Sequence, residues 1–477
     1  MYISGIAVSA LFLVCVSVQG LTNNQINTVK QLLAEDATHS WELGVRAQAL
    51  LELSAPSFSV LTPSVLLPPP SSLNSSLNDT LADVFTIARN AIAALPPPPT
   101  NGTGQPLVLR DGSAGDPASI GIAVLIANWT GLGGENYSAA ATAQLEYLFG
   151  PGVPKTENGA ISHRVSEVQL WSDSVYMVPP FLAYYGITTG NQSMLQEAYN
   201  QVKLYRSYLS DVLAGGLWRH IILGTDTDPG HWSTGNAWAA AGMLRVLGTL
   251  KSSPFSRNFS SQIQDLGDWV AEIHSAMYPY LQANGLFKNY ADGNIRVTDN
   301  FDDASSSALL AATVYRLALL TGDETFIAKA ELTRAALFGT SATPPGRLPV
   351  IVTQSAPWPL STVPSSTGPS PGSAQKASNA FTDTPHFTVD GWLAPVVNPH
   401  NFVVKGAQSP EGQAFTLMLE SAWRDWSDSK SAAVNPGGPR PCWRGGVGPR
   451  TVLLGTVDLV VACTMVTDGS RAVLFSI

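Results

Sequence analysis

Charge is scarce in this chain. Only 13% of its 477 residues are Asp, Glu, Lys or Arg, about half of the roughly 25% usual for soluble proteins. The 26 basic residues form no cluster and are outnumbered by 35 acidic ones, for a net charge of −9. Nucleic acid is held by a positive stripe that displaces counterions, so no nucleic-acid partner is expected. Cysteine is nearly absent too, with only Cys15, Cys442 and Cys463. That excludes a disulfide scaffold and leaves the apolar core to carry the fold. Long apolar runs are missing after the N-terminus. The nearest, Val452 to Val466, is short and interrupted by Asp458, so no membrane partner is expected. The length suffices for a large core, as one big domain or two ordinary ones.

The N-terminus is the exception to the missing apolar runs. Residues 1–20 carry no charged side chain and contain the apolar segment Ala7 to Val16, followed by the small residues Val18 and Gly20. This pattern predicts a signal peptide over 1–20 with cleavage before Leu21, although the usual basic residue near Met1 is absent. Asn74, Asn78, Asn101, Asn128, Asn136, Asn191 and Asn258 each open an Asn-x-Ser/Thr sequon. Together these features predict a secreted, extracellular protein carrying N-linked glycans. Cys15 leaves with the signal, and Cys442 and Cys463 can then pair.

Most of the remaining chain has helical spacing. Asn24 to Leu53 reads as one long amphipathic stretch, and Thr80 to Leu95 as a second, ended by Pro96 to Pro99. Further helices are expected over Pro117–Asn128, Ser138–Phe149, Glu167–Tyr185, Met194–Leu213, Ser233–Leu250, Ser261–Leu281, Ala304–Leu320, Glu324–Phe338 and Glu411–Trp426. Successive helices of this kind imply an all-α toroid of hairpins spanning 21–426, with a site at one end. An α-solenoid is the alternative, but no fixed repeat length is visible. Two stretches do not fit. Gly339 to Asp383 is rich in Pro, Ser, Thr and Gly and reads as a long loop or insertion. From Ser427 the composition shifts again, giving an atypical tail over 427–477 with a Val/Leu-rich run from Thr451 to Val461. Both stretches would also fit translated intron sequence.

Four segments carry the chemistry. In Trp171-Ser-Asp-Ser-Val-Tyr-Met-Val-Pro-Pro-Phe-Leu-Ala-Tyr-Tyr-Gly186, Asp173 shares a helical face with Tyr176, Met177, Pro180, Phe181 and Tyr184. A carboxylate on an aromatic face is costly to ionise, and a raised pKa suits a general acid. Asp173 also fits a helix N-cap, so both readings stand. Upstream, His163 and Arg164 can meet a carboxylate or sugar hydroxyls. The second segment, Gly216-Leu-Trp-Arg-His-Ile221, puts Trp218 and His220 at a loop edge. The third, Asp228-Pro-Gly-His-Trp-Ser-Thr-Gly-Asn-Ala-Trp238, supplies tryptophan faces for stacking on sugars and an amide for hydroxyls. The fourth, Asp299 to Ser307, is an acidic helix start, explained by capping and the helix dipole without a metal.

The order Trp-Ser-Asp-Ser-Val-Tyr-Met, then Gly-Leu-Trp-x-His, then Trp-x-x-Gly-Asn-x-Trp resembles the unsaturated rhamnogalacturonyl hydrolases. These are the glycoside hydrolase family 105 members of the six-hairpin glycosidases. Asp303-Ala-Ser-Ser-Ser-Ala308 and Ser409-Pro-Glu-Gly-Gln-Ala-Phe415 fit as well. The resemblance implies an (α/α)6 barrel and, at Asp173, the general acid and base that hydrates a 4,5-unsaturated uronic acid. It also places His220, Trp232, Asn236 and, on weaker similarity, Asp116 at substrate-contacting positions; Arg164, Trp171, Tyr176, Trp218, Thr234 and Trp238 join them as candidate substrate-binding residues from the segments above, and no cofactor or metal is expected. The substrate would be an oligosaccharide left by pectin or rhamnogalacturonan cleavage.

One position departs from the pattern. Thr234 stands where the family commonly has Arg, which removes a bidentate donor for the substrate carboxylate. Arg164 and Arg219 are the residues able to replace it. A carbohydrate-binding protein without activity, or an ordinary glycosidase pairing Asp173 with Asp116 or Asp228, are the other readings.

Overall fold

The structure, a computed structural model, describes residues 20–131, 136–293, 299–339 and 380–434. Residues 1–19 of the expected signal peptide, all three cysteines, the Thr451–Val461 run and most of the long loop and tail lie outside the described residues.

Within them, twelve α-helices alternate between an outer and an inner position. The outer helices are α1 (Asn23–Asp36), α3 (Ser75–Ala93), α5 (Tyr137–Phe149), α7 (Gln192–Leu209), α9 (Ser260–Met277) and α11 (Ile327–Phe338). The inner ones are α2 (Ser40–Ser54), α4 (Gly121–Trp129), α6 (Ser174–Thr189), α8 (Ser233–Ser252), α10 (Ala304–Thr321) and α12 (Pro410–Val434). Each inner helix packs on the next. A 3-10 turn over Asp116–Ile120 extends α4 toward α2 and α6, and α12 returns to α2 to close the ring. The expected six-hairpin toroid is therefore borne out.

Sequence composition sorts the two layers. The outer helix α3 buries one stripe, Leu81, Val84, Phe85, Ile87, Ala88 and Ile92, as an amphipathic surface helix does. The inner helix α8 is buried at every residue from Ser233 to Leu250, and its small residues let neighbours approach. A Cβ added at Gly242 would lie 2.1 Å from the Val175 carbonyl oxygen, so the α8 and α6 backbones touch there. By length and composition α10 would also suit a membrane span, but 89% of it is buried inside the fold. Its hydrophobicity is that of a core helix.

An ion triad ties the closure. Arg316 on α10 donates through Nε and Nη2 to Glu52 of α2 (3.2 and 2.9 Å), and through Nη1 to Asp425 of α12 (2.6 Å). All three side chains are buried, at 2%, 3% and 7% exposure. Burial would weaken the guanidinium's hold on its proton, but the two carboxylates more than offset it.

The structure corrects three sequence expectations. Asn24 to Leu53 is two helices, because Ala37 turns extended and a capping box begins α2, with the Glu42 carboxylate accepting the His39 amide. The change in composition at Ser427 does not end α12, which runs on to Val434. Four small antiparallel pairs connect the helices: β1 (Leu170–Trp171) with β4 (Ile221–Ile222), β2 (Ser210–Asp211) with β3 (Leu217–Trp218), β5 (Phe287–Lys288) with β6 (Asp302–Asp303), and β7 (Val396–Asn398) with β8 (Asn401–Gly406). The β7–β8 hairpin falls in a stretch where no strand was expected.

Arg316→Ala leaves two buried carboxylates unpaired and should destabilise the fold by about 3–5 kcal/mol in urea unfolding. Replacing Glu52, Arg316 and Asp425 together by apolar residues of similar volume should restore most of that stability. A loss below about 1 kcal/mol for Arg316→Ala would mean that the triad is peripheral to closure.

Candidate active site

The segments that lead into the inner helices contact one another. Ser113 bridges Arg164, Trp171 pairs with Ile221, and Trp232 bridges Tyr290. These pairings carry Asp116, Asp173, His220, Trp232 and Asp303 to one end of the ring, each at or next to the start of an element.

Asp173 occupies the N-cap position of α6, yet its side chain makes no capping hydrogen bond. Its carboxylate instead accepts from Ser172 Oγ at 3.2 Å and stands 3.5 Å from His220 Nε2. Burial lifts its pKa above the ordinary carboxylate range, with His220 the strongest of the opposing influences. The side chain therefore does not cap α6.

His220 lies between two carboxylates that the fold treats in opposite ways. Its Nδ1 is 3.0 Å from Asp228 Oδ2, an oxygen that also accepts from the Tyr290 hydroxyl at 2.5 Å, while Oδ1 accepts the Gly230 amide at 3.1 Å. Burial alone would raise the Asp228 pKa, but these donors outweigh it and hold the group below its ordinary value. An ionised Asp228 can only accept, so the proton on Nδ1 belongs to His220 and Nε2 faces Asp173. The exposures fix the order: Asp228 at 2% and His220 at 1% lie inside, and Asp173 at 14% is the member solvent reaches.

Aromatic rings enclose this trio. His220 is flanked by Trp232, Phe402 and Trp171, with ring centres 4.4, 4.5 and 5.4 Å away. Trp171 stacks on His163 at 4.6 Å and carries the Arg164 guanidinium 4.5 Å above its ring. His163 hydrogen-bonds Ser174 at 2.7 Å, and burial together with Arg164 pushes its pKa well down, keeping it neutral. Asp116 lies 3.9 Å from His163. Burial, then the like charges of Asp111 and Asp173, raise its pKa well above normal.

Not every sequence candidate joins this group. Tyr176 and Trp238 pack on each other at 4.4 Å inside the helical core, and Arg245 covers the tyrosine face at 4.3 Å. Trp218 is 2% exposed. Asn236 is fully buried, with Oδ1 accepting the Trp218 amide and Nδ2 donating to the carbonyls of Trp218 and Trp232. Its amide clamps the β3 segment to α8, with both amide protons given to backbone carbonyls. Thr234 donates to Asp303, which caps α10 through the Ser305 and Ser306 amides. Arg219 is held by Asp211 through Nε and Nη2 at 3.1 and 2.7 Å. Arg164, by contrast, lies over Trp171 and acts electrostatically on both Asp116 and Asp173. Tyr290 and Phe402 were not anticipated, since no motif surrounds either.

Residues 111–354 match the sequence model of Glycosyl Hydrolase Family 88. The chain belongs to that family. No curated protein matches it. Among solved structures, it resembles a possible member of the GH105 family from Salmonella enterica serovar Paratyphi A, with 14% identity, 84% of this chain and 92% of that chain covered, and a TM-score of 0.56. It is also similar to a family 88 glycosyl hydrolase from Bacteroides vulgatus (12% identity, 84% and 99% coverage, TM-score 0.54). A third is an unsaturated glucuronyl hydrolase described as specific for heparin (12% identity, 86% and 97% coverage, TM-score 0.50). The protein is thus a glycoside hydrolase of the six-hairpin fold, and the resemblance to family 105 holds at that level.

If Asn236 is a clamp of the hydrolase fold, Asn236→Ala should lower stability by about 1–3 kcal/mol by stranding buried backbone groups. Thermal unfolding measures this. An unchanged midpoint with a raised KM would return Asn236 to the substrate.

Proposed function

We propose that this glycoside hydrolase adds water across the 4,5 double bond of an unsaturated uronyl residue at the end of a pectin-derived oligosaccharide, with Asp173 as acid and base. The carrying observation is the division of labour among three carboxyl groups. Ordinary glycoside hydrolysis needs one protonated and one ionised carboxyl, both reaching the substrate. Here Asp173 and Asp116 are both biased toward the protonated form, and the ionised Asp228 is sealed behind His220. That set suits a reaction requiring a single acid.

In this reading Asp173 gives its proton to C4, and the positive charge develops at C5, shared with the ring oxygen. The resulting carboxylate takes a proton from the water that bonds to C5, which restores the acid. The hemiketal then opens and the aglycone leaves as its alcohol. His220, held by Asp228, keeps Asp173 oriented, and Arg164 receives the substrate carboxylate in place of the residue missing at position 234. Trp171, Trp232 and Phe402 supply apolar faces for the sugar.

Incubation with an unsaturated rhamnogalacturonan disaccharide should abolish the ultraviolet absorbance of the conjugated double bond. Asp173→Asn should remove turnover while preserving binding, and Arg164→Ala should raise KM by about tenfold or more. Because Asp173 must begin protonated, the rate should fall as pH rises through its elevated pKa. Persistent absorbance at every pH, with folded protein, would sink the proposal.

We also infer export to the extracellular space. The seven sequon asparagines, Asn74, Asn78, Asn101, Asn128, Asn136, Asn191 and Asn258, are all solvent-exposed, which supports the reading of residues 1–20 as a signal. Protein secreted by a eukaryotic host should gain mobility on enzymatic removal of N-glycans. Retention inside the cell with no such shift would count against export.

A further inference from the structure

Apart from the Asp173 centre, the turn of the β7–β8 hairpin meets the beginning of α2. His400 lies in that turn, His39 immediately precedes α2, and Glu42 sits in its first turn. One donor atom from each comes within 4.8 Å of the other two. His39 Nδ1 is 3.2 Å from Glu42 Oε2, and the two imidazole rings are centred 4.7 Å apart. Trp41 stacks on His39 at 4.6 Å, and its indole N–H is held by Glu411 at 2.5 Å.

We propose that His39, Glu42 and His400 bind one divalent transition-metal ion, zinc by preference, which fastens the β7–β8 hairpin to the start of α2.

Two imidazoles and a carboxylate suit zinc and its neighbours, whereas calcium and magnesium favour all-oxygen sets. Zinc draws its donors to about 2.0–2.2 Å, so the present spread must contract. Both histidines are exposed, and His39 Nδ1 already faces the Glu42 carboxylate. Glu42 is the rigid member: its Oε2 accepts the amides of Thr38 and His39 at 2.7 and 2.8 Å. Hydrogen bonds of this kind orient a ligating carboxylate. Asp36 adds a further carboxyl group close enough to interact electrostatically with both Glu42 and His400. Helix capping accounts for His39 and Glu42 by themselves. It gives no reason for a remote hairpin to deliver a second imidazole to the same point.

The hairpin has its own link to the reaction centre. Two residues beyond His400, Phe402 stands edge-on to His220 at 4.5 Å. An ion holding the hairpin tip would steady that aromatic wall, whatever the sugar bound there.

Calorimetric titration of the full, chelator-treated protein with zinc should saturate at one ion per chain. His39→Ala and His400→Ala should each weaken binding by about tenfold or more. Zinc should raise the unfolding midpoint of the wild type and leave that of His400→Ala unchanged, because an ion bound to the folded state stabilises it. The zinc-free unfolding midpoints of both variants report that they fold. Absence of saturable zinc binding, or undiminished affinity in His400→Ala, overturns the proposal.

Discussion

The buried contact of Arg316 with Glu52 and Asp425 joins the first inner helix to the last two, and the ring depends on that junction. A toroid of hairpins has no sheet to hold its ends together, so α2 and α12 must recognise each other across nearly the whole chain. Packing supplies most of the attraction, but apolar helices can slide past one another. A guanidinium with two carboxylates in fixed directions cannot, because any shift leaves a buried charge without its partner. Register at this seam then governs where the loops at one end of the ring come to lie.

Those loops create the chemistry by treating like residues differently. Asp173 and Asp228 are both aspartates within reach of one imidazole. Asp228 accepts from His220, a tyrosine and an amide, and so stays ionised; Asp173 has one side-chain hydroxyl donor, and its burial outweighs the opposing influences of His220 and Arg164, so it resists ionisation. The imidazole passes the difference along: the deep carboxylate fixes its tautomer, and its other nitrogen faces the shallow one. The ionised carboxylate is thus the deep one, and the carboxyl that solvent reaches is the one biased toward its proton.

Much of this was legible in the sequence where the signal was local. Amphipathic spacing exposed the helices, and the aromatic face around Asp173 marked its carboxylate as unusual. His220 stood out at its loop edge. What escaped depended on contacts between distant segments. Tyr290 and Phe402 gain their roles only from the loops they meet, and no nearby residue hints at them. Asn236 shows the opposite difficulty, since an amide that binds sugar and one that clamps backbone have the same local sequence. The split between α1 and α2 hid because Ala37 fits the helical pattern, while the capping box that ends the run uses His39 in a position where Ser or Thr is commoner. The β7–β8 hairpin was hidden by its shortness.

Asp303 receives the Val397 amide as well as the amides of its own helix and the Thr234 hydroxyl. One carboxylate therefore sets α8, α10 and the hairpin carrying Phe402 relative to each other. For biosynthesis this means that the aromatic enclosure of His220 is finished late. Asp173 and His220 emerge from the ribosome well before Phe402 and the helix that closes the ring. A partly made chain holds these two side chains without the ring of aromatics around them, and the arrangement is complete only once the β7–β8 hairpin and α12 are in place.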